Sequence, residues 1–158
     1  MAKILVVYDS TSGNTEKMAQ AVAEGASKVA GIEVLVKKVD QAKVDDLLEV
    51  DGVIVGSPCH FGQMSAKMKT FIDESVKYYG KLDGKVGAAF TSFGGSGGSE
   101  TTLLSIIHAL LIHGMIVVGR SGRMHYGSVA VGSPSQESID SCRDLGFRVA
   151  NIVSKLAK

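Results

Sequence analysis

Tryptophan is absent from this chain, and cysteine and aromatic residues are scarce. The two cysteines, Cys59 and Cys142, lie far apart, so neither a disulfide framework, a metal site nor an iron–sulfur cluster is expected. No apolar run approaches the roughly 20 residues that span a bilayer, and the N-terminus lacks the apolar segment of a signal peptide. A cytoplasmic protein without a membrane partner is therefore expected.

An excess of either charge is also missing, since the formal net charge is +1 and the pI is about 7.8. No basic run or stripe occurs, which argues against nucleic acid as a partner. The length predicts a single domain over residues 1–158 that is large enough to bury a core. Glycine, in contrast, is abundant at 19 residues and concentrates at 94–98 and 114–132, which indicates backbone that approaches a ligand closely.

Five short apolar runs are mostly continuous rather than alternating, as is typical of parallel strands covered on both faces. The runs are Ile4–Tyr8, Ile32–Val36, Val53–Gly56, Val86–Thr91 and Met115–Val118. Helical spacing of apolar residues within 18–29, 68–79 and 103–111 predicts the helices between them, and 43–48 predicts a further short one. A capping box at Ser133–Gln136, with proline at the first helical position, predicts the last helix. This alternation predicts an α/β fold, with a doubly wound parallel sheet and helices on both faces.

Three loops at the carboxyl ends of predicted strands are rich in polar residues or glycine: Asp9–Thr15, Ser57–Ser65 and Ser92–Ser99. Ligands of doubly wound sheets bind at this edge. The first loop has neither the Walker A pattern nor the dinucleotide fingerprint G-x-G-x-x-G. It combines hydroxyl side chains with the unpaired first-turn amides of a helix, and such donors can hold a terminal phosphate without lysine or arginine. For the hydroxyls alone, a well-capped turn between strand and helix is the alternative.

The segment Ser10-Thr11-Ser12-Gly13-Asn14-Thr15 resembles the FMN-phosphate loop of the flavodoxin-like superfamily. Within it, the chain resembles the WrbA-type NAD(P)H:quinone oxidoreductases nearly end to end. The segments that carry this second resemblance are Met18–Ala26, Gly56–Ser65, Ile112–Met115 and Pro134–Glu137, of which the middle two are specific. The first loop alone does not separate this family from electron-carrier flavodoxins. The resemblance implies a flavodoxin-like three-layer sandwich with a five-stranded parallel sheet of order 2-1-3-4-5.

The resemblance also implies which residues contact the cofactor. FMN rather than FAD is expected, because the first loop suits a terminal phosphate and no adenine-binding fingerprint is present. The implied contacts are Ser10, Thr11, Ser12, Gly13, Asn14 and Thr15 with the phosphate; Pro58, Cys59, His60, Phe61, Gly62 and Gln63 along the flavin ring; and Thr91, Ser92, Phe93, Gly94, Gly95, Ser96 and Gly97 around its pyrimidine and ribityl side.

Phe61 and His113 are the implied catalytic residues, because they would bound the flavin face on which donor and acceptor stack. In the family pattern the histidine faces this pocket, with a neighbouring subunit as one possible source. For Phe61 the alternative is core packing. For His113, which precedes Gly114, the alternative is a cap at the end of its helix. The chain departs from the family pattern at Cys59-His60, where threonine and arginine are usual, and this puts the nucleotide contact in doubt.

The implied function is an FMN-dependent NAD(P)H:quinone oxidoreductase, with NADH or NADPH as donor and a quinone or other small molecule as acceptor. The alternative is a flavodoxin that carries electrons between proteins. Such carriers are usually strongly acidic, whereas this chain is nearly neutral. A homodimer or homotetramer is expected, because Phe93 and Met124 would leave apolar surface beside the glycine-rich loops.

Overall fold

The computed structural model describes residues 1–157, which form four α-helices and six β-strands. In chain order they are β1 (Ala2–Tyr8), α1 (Asn14–Ala26), β2 (Ile32–Lys38), β3 (Gly52–Pro58), α2 (Ala66–Glu74), β4 (Val86–Phe93), α3 (Ser99–Ile112), β5 (Ile116–Val117), β6 (Ser128–Val131) and α4 (Gln136–Leu156). The strands are parallel in the order β2-β1-β3-β4-β5, and β6 also pairs with β4. The predicted fold class and strand order are confirmed.

Both faces of the sheet are covered, which explains why its central strands contain continuous apolar runs. Ile4 and Val6 of β1 pack into the cluster that contains α1 and α4, while Leu5 and Val7 pack into the cluster that contains α2 and α3. All four side chains are fully buried. Because alternate residues point to opposite faces and both faces are covered, no polar residue interrupts the run from Ile4 to Val7.

Helices α1 and α4 contact each other through their backbones at two glycines. A Cβ atom added to Gly25 would lie 1.9 Å from the carbonyl oxygen of Arg143, and one added to Gly146 would lie 1.9 Å from that of Val22. Real side chains cannot approach a carbonyl so closely. The two glycines therefore let the helices cross at a distance that alanine would not permit.

The fifth position in the sheet departs from the prediction of one strand over Met115–Val118. It consists of two pieces, because β5 pairs with Val86–Gly87 and β6 with Phe90–Phe93. Residues 118–127 leave the sheet between them. The chain returns at Gly127, whose absent Cβ would otherwise stand 2.0 Å from the carbonyl oxygen of Ala89. A four-residue strand between glycines is too short to give a readable apolar run.

Two helix boundaries also differ from the sequence prediction. The cap of α4 is Ser135, whose Oγ accepts a hydrogen bond from the amide of Ser138 at 3.2 Å, so Ser133 is not the cap and the proline lies outside the helix. Helix α2 ends at Glu74 and continues as a 3₁₀ turn over Ser75–Tyr78. The predicted short helix near 43–48 is a 3₁₀ turn over Val44–Leu47.

Candidate functional site

The loop between β1 and α1 presents hydroxyl and amide donors around Gly13. Gly13 adopts the left-handed conformation (φ +90°) directly before α1. Ser10 shapes this turn, since its Oγ accepts hydrogen bonds from the amides of Gly13 at 3.1 Å and of Glu16 at 3.3 Å. Thr11 and Ser12 are exposed, so their hydroxyls face solvent. The arrangement offers neutral donors at the positive end of a helix dipole, which is the chemistry that a phosphate requires.

Thr15 connects this first loop to the end of β4. Its Oγ1 lies 2.8 Å from the Oγ of Ser92, and both side chains are buried. Thr91, the preceding residue of β4, is fully buried, and its hydroxyl donates to the carbonyl oxygen of Ser57 at 2.7 Å. Thr91 therefore joins β4 to β3 and does not reach the surface, although the sequence predicted a cofactor contact there.

The second loop carries an aromatic side chain at its outermost point. His60 and Gln63 exchange two backbone hydrogen bonds of 2.9 and 3.0 Å, and Phe61 and Gly62 between them both have positive φ, at +53° and +72°. Such a turn resembles the two-residue turns of β-hairpins. Phe61 is fully exposed, at 105% of its reference area. Core packing, the alternative considered for Phe61, is therefore wrong.

The second and third loops contact each other at glycine. The amide of Cys59 donates to the carbonyl oxygen of Ser92 at 2.8 Å. At Gly98, a Cβ atom would stand 3.0 Å from the Sγ of Cys59 and 3.1 Å from the Cα of Gly62. Gly98 precedes α3 in the left-handed conformation (φ +94°). Gly98 lies one residue beyond the predicted contact set. Its position at the end of a glycine run, directly before a helix, is the sequence feature from which it could have been predicted.

Asp9 is a second residue that the predicted set omitted. It directly follows β1 and is only 5% exposed, and its Oδ1 accepts a hydrogen bond from the amide of Ser10 at 2.9 Å. A buried carboxylate at the base of the first loop holds the backbone that leads to Gly13. Asp9 could have been predicted from the sequence, because it immediately follows a buried strand.

His113 lies at the opposite edge of the sheet from these loops. Helix α3 starts beside the third loop and runs for 14 residues, or about 21 Å, before His113 follows at its end. There Gly114 accepts a hydrogen bond from the amide of Gly84, next to the start of β4. His113 is the C-terminal cap residue of α3, as the alternative interpretation held. Within one chain, His113 and the three loops do not form a common site.

The tautomer of His113 follows from its neighbours. Its Nε2 lies 2.7 Å from the Oγ of Ser75, and that hydroxyl donates its one proton to the carbonyl oxygen of Ile72 at 2.6 Å. Nε2 must therefore carry the proton that Ser75 accepts. Nδ1 is buried without a hydrogen-bond partner among residues 1–157. Burial lowers the pKa of His113 below its ordinary value.

Five exposed apolar side chains surround this end of the molecule, and we name them the apolar corner: Val76, Tyr79, Leu111, Ile112 and Ile116. A hollow of about 500 Å³ is lined by three of them, Val76, Tyr79 and Ile112, and His113 lies in its wall. Phe93 and Met124, which the sequence indicated as exposed apolar surface, are each partly buried. Clustered apolar surface is therefore uncovered at the far end of α3, in addition to the exposed ring of Phe61 at the second loop.

Residues 36–126 match the family described as NADPH-dependent FMN reductase. This range covers more than half of the 158 residues and includes the second and the third loop. The chain belongs to this family. Within the described residues 1–157, no group of histidine, cysteine and carboxylate side chains has the arrangement of a metal site, and no helix is long and apolar enough to cross a membrane.

Two relatives of this family member align over nearly its whole length. A protein of Aquifex aeolicus named flavodoxin is 45% identical over 98% of this chain and 88% of its own length. A protein of Archaeoglobus fulgidus named NAD(P)H dehydrogenase (quinone) is 38% identical over 99% of this chain and 100% of its own length. The solved structure of a flavodoxin, WrbA-like protein from Agrobacterium tumefaciens has a TM-score of 0.84 and 28% identity, over 98% of this chain and 99% of that one. The flavodoxin-like fold is thereby shown, and the narrower WrbA-type resemblance stays a prediction.

Proposed function

We propose that this chain is an FMN-dependent NAD(P)H:quinone oxidoreductase that takes electrons from NADH or NADPH and delivers them to a quinone or another small acceptor. The chemistry that bound FMN would supply is this two-electron transfer. The chain's own residues bind and orient the cofactor and leave room for the two substrates. Membership of the FMN reductase family and the relative named NAD(P)H dehydrogenase (quinone) support the proposal.

The donors of the first loop fit the phosphate of FMN. The hydroxyls of Thr11, Ser12 and Thr15, together with the amides of Asn14 and Thr15 in the first turn of α1, can hold a phosphate by neutral hydrogen bonds and the helix dipole. Gly94 supports the proposal that a ligand binds at the third loop, for a different reason. It has no positive φ, and no atom lies within 4 Å of its missing Cβ, so the protein's own packing does not require glycine there. Close approach of a ligand provides the reason.

The observation that favours the enzyme assignment over the electron carrier is the neutral surface of the three loops. Residues 9–16, 57–65 and 91–98 contain only two acidic residues, Asp9 and Glu16. Asp9 is buried, and Glu16 accepts a hydrogen bond from the hydroxyl of Tyr8 at 2.9 Å. A carrier that docks on basic partner proteins needs an acidic surface around its cofactor. Small substrates that stack beside the exposed ring of Phe61 do not need one.

Anaerobic mixing of FMN-loaded protein with NADH or NADPH tests the proposal directly. We expect loss of the visible flavin absorbance with at least one nucleotide and its recovery when a quinone is added. Free FMN at the same concentration is the control. Protein that retains FMN but is reduced by neither nucleotide would show that the enzyme assignment is wrong. Protein that retains FAD as well as FMN would remove the assignment of the first loop to a terminal phosphate.

The second candidate function is an electron carrier, which the 45% identity to a protein named flavodoxin favours. A carrier would hold FMN through the same first loop, so cofactor binding does not distinguish the two functions. Reduction by a nicotinamide nucleotide does. Retained FMN without that reaction would make the carrier the better assignment.

Assembly into a homodimer or homotetramer is part of the proposal. Val76 and Tyr79 are each 68% exposed and Ile112 is 70% exposed, and apolar surface of this kind is typical of contacts between subunits. His113 can serve a flavin site only if a second subunit brings its loops to the apolar corner. The unpaired thiols of Cys59 and Cys142 support a reducing compartment such as the cytoplasm.

A further inference from the structure

We propose that Ser92 is a positioning residue, which directs the hydroxyl proton of Thr15 toward the phosphate of FMN. The proposal rests on the proposed binding of FMN and assigns Ser92 a different role from the flavin contact that the sequence implied. In this role Ser92 acts on the phosphate through Thr15 and makes no contact of its own with the flavin ring.

The hydrogen bond between the two hydroxyls is short and buried. Thr15 Oγ1 and Ser92 Oγ are 2.8 Å apart, and the two residues are 1% and 6% exposed. Thr15 is the second residue of α1, in the turn whose amides face an anion bound at the helix N-terminus. Ser92 belongs to β4, 77 residues later in the chain. The bond therefore connects the phosphate loop to the strand that leads into the glycine-rich loop.

The direction of the proton follows from the chemistry of phosphate. Phosphate oxygens accept hydrogen bonds, and a threonine hydroxyl has one proton to donate. When Thr15 donates that proton to the phosphate, its bond with Ser92 requires Ser92 to be the donor. Two hydroxyls aligned in this way polarise one another and strengthen the terminal bond. Without Ser92, the Thr15 hydroxyl loses its buried partner and is free to turn toward a backbone carbonyl.

Ser92 is itself held firmly enough to direct Thr15. Its register is set by pairing with Pro58 of β3, and its carbonyl oxygen accepts the amide proton of Cys59 at 2.8 Å. These backbone contacts belong to the sheet and the second loop, so they remain when the side chain of Ser92 is shortened. A substitution of Ser92 therefore removes the hydroxyl while its surroundings stay in place.

The test compares binding of FMN with binding of riboflavin, which has the same ring and ribityl chain without the phosphate. We expect Ser92→Ala to raise the dissociation constant of FMN about fivefold and to leave that of riboflavin unchanged. Thr15→Val, which removes the hydroxyl at nearly constant volume, is expected to weaken FMN at least as much. In the double variant, Ser92→Ala should add less than about a twofold loss, because Ser92 acts only through Thr15.

Ser141→Ala is a matched control. It removes another buried bond between two serine hydroxyls, since Ser128 Oγ and Ser141 Oγ also lie 2.8 Å apart. This pair joins β6 to α4 away from the three loops, so FMN binding should not change. Thermal unfolding of the cofactor-free variants then separates lost stability from lost binding. If Ser92→Ala does not fold, Ser92→Cys takes its place, because it keeps the volume and weakens the donor.

Two results would overturn the role of Ser92. One is an equal loss of FMN and riboflavin, which would mean direct contact with the ring or ribityl chain. The other is single losses that multiply in the double variant, which would mean that Ser92 and Thr15 act independently. If the unaltered protein binds no FMN, it is the proposed function that fails.

Discussion

Phe61 has a strained backbone conformation that packing of its own ring does not offset. Its φ is +53°, a value uncommon for a bulky side chain, and its ring is fully exposed. Strained residues of this kind concentrate at sites where a ligand or partner uses the conformation. The strain and the exposure are both consistent with the substrate contact that we propose for Phe61.

Phe61→Gly separates the two effects. Glycine accepts positive φ without strain, so we expect the free energy of unfolding to change by no more than about 1 kcal/mol. Loss of the ring should raise the KM for nucleotide and quinone about two- to tenfold, as expected for a lost aromatic contact. Steady-state kinetics and urea unfolding measure the two quantities. Phe61→Tyr keeps the ring and is the control, and an unchanged KM in the glycine variant would show that Phe61 does not contact the substrates.

His113 links the stability of the chain to pH. Its pKa in the folded protein is lowered because burial disfavours the charged ring. At high pH the folded and unfolded chains are both neutral at this residue, and no stability is lost. As the pH falls through the unfolded pKa, near 6.5, the unfolded chain takes up the proton first. The free energy of unfolding therefore decreases as the pH falls from this value toward the lower folded pKa.

His113→Gln should remove this part of the pH dependence, because glutamine keeps an N–H donor for Ser75 and has no proton to gain. We expect the free energy of unfolding to fall less steeply between about pH 7.5 and pH 5.5 than in the unaltered protein. Urea unfolding at both pH values is the measurement. His108→Gln, at an exposed position of α3, is the matched control and should keep the steeper dependence. Equal slopes for His113→Gln and the unaltered protein would contradict the buried neutral histidine.

Among the elements, the contact between α1 and α4 is sensitive to a single added atom, the Cβ of a residue that replaces glycine. Gly146→Ala would bring a Cβ atom to 1.9 Å from the carbonyl oxygen of Val22, and backbone cannot rotate aside as a side chain can. Despite the better helix propensity of alanine, we expect a loss of about 2–3 kcal/mol and a fall in Tm of roughly 5–10 °C. Calorimetry measures both, and Ser154→Ala on the same helix is the control. A variant as stable as the unaltered protein would contradict this close crossing.

The elements show where sequence patterns suffice and where they fail. Strands β1, β3 and β4 were predictable because buried strands of a parallel sheet contain continuous apolar runs, while β2 is half-buried and combines apolar with charged residues. The fifth position was not, since Ser128–Val131 is held by pairing with β4 rather than by its own pattern. The predicted cap of α4 was Ser133 and the observed cap is Ser135. Both serines precede the helix, and only the backbone conformation selects between them.

For the whole molecule, the apolar corner is the surface through which we propose that copies of the chain associate. We expect FMN-loaded protein to be at least dimeric in light scattering. Ile112 is 70% exposed, and its replacement by glutamate should weaken the assembly, because a buried charge without a partner is costly. The dissociation constant between subunits should rise at least about tenfold, in line with the loss of one buried aliphatic side chain.

Phe147→Glu is the control for this prediction. Phe147 is 43% exposed on α4, which packs on the opposite face of the sheet from α2 and α3, and its replacement should leave the mass unchanged. A monomeric mass for the FMN-loaded unaltered protein would exclude both the dimer and the tetramer. Dissociation by both variants alike would mean that the interface lies elsewhere.

The alternation of strands and helices, the fold class and the donor-rich loop before α1 can be predicted from local patterns, because burial and helix capping affect residues that are neighbours in the chain. The buried hydrogen bond between Thr15 and Ser92 and the position of His113 at the far end of α3 cannot be predicted in this way. Both involve residues that are distant in sequence. Their contacts depend on which strands pair and on the direction in which each helix runs, and local patterns contain neither.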